Sequence, residues 1–176
     1  TGTEAAAALL KALDLKTTVE LNALLPTRLS CTLSDAQDVF DAANAWPSTL
    51  VVCGLWGSTA RIMWSDVGEV AVSGLIALAG DTSGTVFATN ASTFKGTAAE
   101  FGDISTAGTL LKAIDTADVV TSSAFALLIE IPDGQSTAIT AADLLALVPD
   151  LPGVTVDARA YTVITGSDDE ITSLGI

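Results

Sequence analysis

The densest β-type pattern in this chain lies in residues 46–89, and it constrains the fold more than any other stretch. It contains all three tryptophans, the only methionine and one of the two cysteines. Residues 50–56 form a β-branched and aromatic run, residues 60–64 a second short apolar run, and residues 69–79 a longer one. Such runs suit a pleated and mostly buried surface. We therefore interpret residues 46–89 as the core sheet.

Short turn sequences separate these runs. Residues 65–68 read Ser-Asp-Val-Gly, and residues 80–84 read Gly-Asp-Thr-Ser-Gly, with a glycine at either end for a positive φ. Strands that are joined by such short turns pair antiparallel, so the pattern predicts an antiparallel meander over about residues 50–89. Several runs are apolar on both faces, which predicts that the sheet is covered on both sides.

The remaining sequence predicts strands near residues 119–131 and 154–165, the first with a kink near Ser122 and Ser123. Three to four helices pack on the sheet, and Thr140 with Asp143 has the spacing of a helix N-terminus. The predicted helices cover residues 5–13, 34–45, 106–117 and 140–149. The predicted fold class is α+β with a mainly antiparallel sheet. Residues 1–165 form one domain, and residues 166–176 form an acidic C-terminal tail.

One short motif occurs twice. Residues 9–14 read Leu-Leu-Lys-Ala-Leu-Asp and residues 110–115 read Leu-Leu-Lys-Ala-Ile-Asp, each on a predicted helix that precedes a strand. A weaker copy runs from Leu144 to Asp150. Duplication of a helix–strand unit is one explanation. The other is that leucine, alanine and lysine are common in any helix.

The charge balance excludes several partners. Twenty-one acidic and seven basic residues give a net charge of −14, which disfavours binding to nucleic acid or to an anionic membrane surface. No apolar run approaches the roughly 18 residues of a membrane-spanning helix. The charged fraction is only 16% and the mean hydropathy is +0.54, so much of the surface is Thr, Ser, Ala and Gly, or is buried against other subunits.

The absence of histidine excludes Ser-His-Asp and Cys-His catalysis and zinc sites that depend on histidine. Asp81-Thr82-Ser83-Gly84 approaches the aspartic protease signature, but Ser83 stands where that site needs glycine, and there is no second copy. A turn is the simpler interpretation. Thr1 is a candidate N-terminal nucleophile, or a residue that follows a removed methionine or leader.

Other candidate residues also have a plain structural explanation. Asp168-Asp169-Glu170 could hold a hard cation, but it lacks the alternating ligands of a calcium loop and fits a solvated turn. Cys31 and Cys53 could form a disulfide or remain two buried thiols. The three tryptophans could stack on sugars, although core packing is their usual role. They are Trp46, Trp56 and Trp64.

These observations favour a structural, self-assembling protein rather than an enzyme, with no cofactor and no metal. The expected assembly is a virion, with the chain as capsid, decoration or tail protein, or an extracellular filament. The expected partners are copies of the chain and other structural subunits, which meet apolar strand faces and an edge near residues 154–165. Two alternatives stay open: a carboxylate-dependent hydrolase built on Asp81, and a small ligand-binding or adhesion domain built on the tryptophans.

Overall fold

The computed structural model of the chain describes residues 3–16, 26–44, 61–64, 66–82, 84–102, 105–131, 134–147 and 153–175. The predicted run over residues 50–56, with Trp46, Cys53 and Trp56, lies outside these residues, as does Thr1. The strands in the described residues are β1 (Thr3–Ala6), β2 (Pro26–Cys31), β3 (Arg61–Trp64), β4 (Gly68–Ala71), β5 (Val86–Ala88), β6 (Ala91–Thr97), β7 (Val119–Thr121), β8 (Phe125–Glu130), β9 (Ala138–Thr140), β10 (Val154–Asp157) and β11 (Val163–Thr165). The helices are α1 (Ala7–Asp14), α2 (Leu33–Asn44), α3 (Val72–Asp81), α4 (Ala98–Phe101), α5 (Leu110–Asp115), α6 (Ala141–Ala146) and α7 (Asp168–Ser173).

All pairings among the described strands are parallel. The five-stranded sheet has the order β1-β2-β3-β5-β7, the four-stranded sheet β4-β6-β8-β10, and the two-stranded sheet β9-β11. The predicted α+β fold with a mainly antiparallel meander is therefore wrong, and the fold is α/β. Within each sheet the strands follow one another in chain order, as in a solenoid that adds one coil at a time.

The predicted meander is wrong first at residues 69–79, which were predicted to form one strand. Strand β4 ends at Ala71, and helix α3 begins at Val72 and buries Val72, Leu75 and Leu78. A short apolar run does not distinguish a buried helix from a buried strand. Because α3 is a crossover, the next strand, β5, pairs parallel with β3. Gly80 and Asp81, which were predicted to begin a hairpin turn, are instead the last residues of α3.

Two other predicted strands are each a pair of strands with a corner between them. Residues 119–131 contain β7 and β8, which belong to different sheets, and the corner lies at the predicted kink. There the Ser122 hydroxyl donates to the Ala124 carbonyl oxygen (2.7 Å). Residues 154–165 contain β10 and β11, and at their corner the Asp157 carboxylate accepts from the Arg159 backbone N–H (3.1 Å). The side-chain hydrogen bonds therefore turn the chain from one sheet to the next.

The described coils differ in how many strands precede the helix. Strands β1 and β2 lead directly into α1 and α2, whereas β3 and β4 together precede α3, and β5 and β6 precede α4. Three strands, β7, β8 and β9, precede α6. The helix therefore follows the five-stranded sheet in the first coils, the four-stranded sheet in the middle, and the two-stranded sheet at the end.

The core is a column of apolar side chains in register on successive strands. In the four-stranded sheet Val70 pairs with Phe94, Phe94 with Leu127, and Leu127 with Val156. The first three of these side chains are buried. Phe94 also meets Phe125 edge to face, with 5.2 Å between the ring centroids. Each coil therefore buries its inward side chains against the coils on either side of it.

Close approach of the coils explains the glycine at position 96. A Cβ atom at Gly96 would lie 3.1 Å from the Val72 Cβ atom and 3.0 Å from the Glu100 Oε2 atom. Real Cβ contacts are rarely so short. Position 96 is the inward residue of β6 next to the start of α3, so any larger side chain would push two neighbouring coils apart.

The column makes a direct prediction about stability. We expect Phe94→Ala to lower the free energy of unfolding by about 3–5 kcal/mol, because the substitution leaves a cavity between three coils and removes the ring contact with Phe125. Urea denaturation followed by circular dichroism measures this change. Val67→Ala is the control, because Val67 is 75% exposed and should change the same free energy by less than about 0.5 kcal/mol. Similar losses in the two variants would contradict the stacked core.

Candidate interaction surfaces

The first coil exposes apolar side chains at one end of the stack. We call residues 3–16, which contain β1 and α1, the head. Leu9, Leu13 and Leu15 of this region are 59%, 45% and 80% exposed. On the opposite side of α1, Lys11 forms an ion pair with Asp38 of α2. Since successive residues turn by about 100°, Leu9 and Leu13 lie roughly 160° around the helix from Lys11 and face away from α2.

The last coil repeats the core pattern without being covered. We call β10, β11 and α7 the tail. Val156, Ile164 and Leu174 are its inward side chains, and each is only half-buried. Their counterparts one coil earlier are buried: Leu127, Ile139 and Leu147. The tail thus presents the inner side of a coil to solvent. Helix α7 occupies the segment that was predicted to be an acidic tail, and it packs on α6.

A charged cluster lies on the outer face of the four-stranded sheet. The Lys95 Nζ atom is 2.8 Å from Glu130 Oε1 and 3.5 Å from Glu69 Oε1, so one ammonium group joins three neighbouring strands. The hydrogen bond to Glu130 and the charges of both carboxylates raise the pKa of Lys95. A lysine with a raised pKa stays protonated and is a poor base or nucleophile. We interpret the cluster as a cross-strand contact of small energetic weight, because all three groups are partly exposed.

Threonine or serine caps four helices in the same way. The backbone N–H of the third helical residue donates to the hydroxyl oxygen, as in Thr140 with Asp143 (3.0 Å), and the hydroxyl donates in return to the carboxylate (2.6 Å). The prediction that Thr140 opens a helix is confirmed. The other three pairs were not recognised as copies of it: Thr32 with Asp35, Thr97 with Glu100, and Ser167 with Glu170.

Comparisons with known proteins reveal no relative: no family model, no curated protein and no solved structure matches this chain. The function must be argued from the chain itself.

The carboxylates that were candidates for chemistry lie at helix ends. Asp81 is the last residue of α3 and the buried Thr82 is its C-cap, so the protease-like segment starts at a helix C-terminus. Asp168, Asp169 and Glu170 form the first turn of α7, where acidic residues stabilise the helix dipole. The Ser167 backbone N–H and hydroxyl donate to Glu170, and they lower the pKa of its carboxyl. In the part of the chain that the structure describes, no group of three or more His, Cys, Asp or Glu residues could hold a metal ion.

One groove of about 390 Å³ lies between α3 and α5 and is lined largely by Ile76, Ala79 and Ala113. Its ammonium group, on Lys112, is 3.1 Å from the Asp115 carboxylate. The described residues also include no helix long and apolar enough to cross a membrane. The head and the tail are therefore the surfaces that most need an explanation.

The caps predict a measurable loss of stability. Thr140→Ala removes the acceptor for the Asp143 backbone N–H, so we expect the free energy of unfolding to fall by about 1 kcal/mol. Thr140→Ser retains the hydroxyl and should lose much less. Urea denaturation of both variants and the parent decides between them. Equal losses in Thr140→Ala and Thr140→Ser would show that the methyl group, not the cap, carries the effect.

The buried thiol makes a prediction about reactivity. Burial, with smaller effects of Asp66 and Asp35, raises the pKa of Cys31 to about 12. At pH 8 we expect native Cys31 to react with iodoacetamide about a thousandfold more slowly than in urea, because the thiolate is the nucleophile. Peptide mass spectrometry distinguishes Cys31 from Cys53. The raised pKa of the Cys31 thiol also makes stability depend on pH. Its contribution to stability is fully present below the unfolded thiol pKa of about 8.5, and it is lost as the pH rises towards 12. Equally fast labelling in native and unfolded protein would contradict the burial.

Proposed function

We propose that this protein is a structural subunit that assembles with copies of itself. The observation that carries the proposal is the stack of parallel strands, in which no described strand pairs with the outer sides of β1, β10 and β11. Strands β10 and β11 are the last strands of the four-stranded and two-stranded sheets, and β1 is the first strand of the five-stranded sheet. An edge strand offers one side of its backbone to a further strand, and an uncovered edge is a site of association.

The distribution of charge supports association. Most of the described basic side chains already form ion pairs within the chain, such as Lys11 with Asp38 and Arg159 with Asp157. Little basic charge is left to bind an anionic partner. Exposed leucine and valine side chains stand at both ends of the stack instead. Burying them against another subunit is favourable at about 25 cal/mol per Å² of apolar surface.

A virion component or an extracellular filament is the kind of assembly that we propose. Both use many copies of one chain and place few demands on charge or catalytic groups. The mean hydropathy of +0.54 is high for a chain that keeps its whole surface in water. The alternatives are a hydrolase built on Asp81, which ends α3, and an adhesion domain built on the tryptophans.

Self-assembly predicts a mass that depends on concentration. We expect size-exclusion chromatography with light scattering to give masses that rise above the 17.8 kDa of one chain as the protein concentration increases. Negative-stain electron microscopy on the same samples should reveal rods, sheets or closed particles. Moderate salt should preserve assembly, because apolar contacts are not screened. A mass of one chain from micromolar to millimolar concentration would rule out self-assembly as the main function.

A further inference from the structure

The proposed self-assembly requires a contact surface, and the structure indicates which one. We propose that the head of one copy stacks on the tail of the next, so that β1 and α1 of the second copy continue the solenoid beyond β11 and α7 of the first. The contact is heterologous, because it joins two different surfaces, and each added copy exposes a new tail. This inference rests on the proposed function and specifies its geometry.

The repeated hexapeptide gives the first argument. In α5, inside the stack, the first leucine of Leu-Leu-Lys-Ala-Ile-Asp is Leu110, which is fully buried. In α1, at the head, the equivalent residue is Leu9, which is 59% exposed. Both helices precede a strand of the five-stranded sheet. The head therefore carries a motif whose interior copy is buried, and Leu9 is the part of it left uncovered.

The neighbour of α5 indicates what would cover Leu9. Helix α5 packs on α3 from the preceding coil. Helix α1 has the described coil of α2 on one side, and its exposed leucines face the other side. In a head-to-tail stack, α7 of the first copy would lie where a preceding coil lies. Its half-buried Ile171 and Leu174 are equivalent to Leu144 and Leu147 of α6.

The order of elements makes the two ends compatible. At the tail, β11 is followed by α7 with only Gly166 and Ser167 between them, and at the head β1 leads directly into α1. Both strands pair parallel with their inner neighbours, β9 and β2. A second copy can therefore add β1 beside β11 in the parallel direction that all described strands share, with α1 placed beside α7.

Charge selects this arrangement over tail-to-tail contact. Residues 153–175 contain four acidic residues and one basic residue, so two tails repel each other. Residues 3–16, which form the head, contain two acidic and two basic residues and are neutral overall. Head-to-tail contact thus brings an acidic surface against a neutral, leucine-rich one.

A complementation experiment tests the geometry. The head variant carries Leu9→Glu and Leu13→Glu, and the tail variant carries Val163→Glu and Thr165→Glu. All four side chains are exposed in the single chain, so circular dichroism should stay unchanged. Each variant alone should remain a monomer where the parent assembles, with an apparent dissociation constant raised by about 100-fold or more.

An equimolar mixture of the two variants should form a species of two chains and nothing larger. The intact tail of the head variant can accept the intact head of the tail variant, and no further surface is then available. Light scattering distinguishes this dimer from a monomer of 17.8 kDa. The matched control is Val67→Glu, which alters an exposed valine outside the head and the tail and should assemble like the parent.

The outcomes separate the geometry from the function. If the parent assembles but the mixture stays monomeric, or if Val67→Glu blocks assembly as strongly as the end variants, the head-to-tail contact is wrong and self-assembly stands. If the parent itself is a monomer at every concentration, both proposals fail. A dimer in the mixture, with monomers in each variant alone, establishes the contact and shows that both variants are folded.

Discussion

The fold depends on one repeated contact, which is the packing of an inward side chain of one strand against the inward side chain of the next parallel strand. The column of Val70, Phe94, Leu127 and Val156 is its clearest example. None of the described coils has a core of its own, because its apolar face is buried by the coils beside it. Stability is therefore a sum of contacts between neighbouring coils.

The hydroxyl caps solve the local problem that this stacking creates. Each coil must turn sharply from an extended strand into a helix, and the first N–H groups of that helix need acceptors. Thr97 and Thr140 are both the last residue of a strand and the cap of the next helix. A neighbouring carboxylate completes the exchange, as Glu100 does for Thr97. Among the described residues, four carboxylates have this structural role at helix starts: Asp35, Glu100, Asp143 and Glu170.

The sequence predicted local features, such as helix starts and corners, better than it predicted which strands pair and in which direction. The helix start at Thr140 and the break near Ser122 were readable, because caps and corners depend on neighbouring residues. Strand direction could not be predicted. The apolar run over residues 72–79 is compatible with either a buried helix or a buried strand, and the strand that pairs with β5 lies in another coil. What was missed is that the same cap recurs along the chain, with a hydroxyl residue three positions before an acidic one. It occurs at Thr32, Thr97, Thr140 and Ser167. The exposed ends could not be predicted, because Leu9 and Leu110 begin nearly the same hexapeptide and yet one is exposed and the other is buried.

The number of strands before each helix has a geometric consequence for any filament. Within one chain the helix moves from the end of the five-stranded sheet, at α1, to the end of the two-stranded sheet, at α7. A copy that aligns its own α1 with α7 of its predecessor must therefore be rotated about the stack axis by the angle between those two sheets. The same rotation recurs at every junction. A polymer built in this way would have screw symmetry, with a twist per copy that is set inside the single chain.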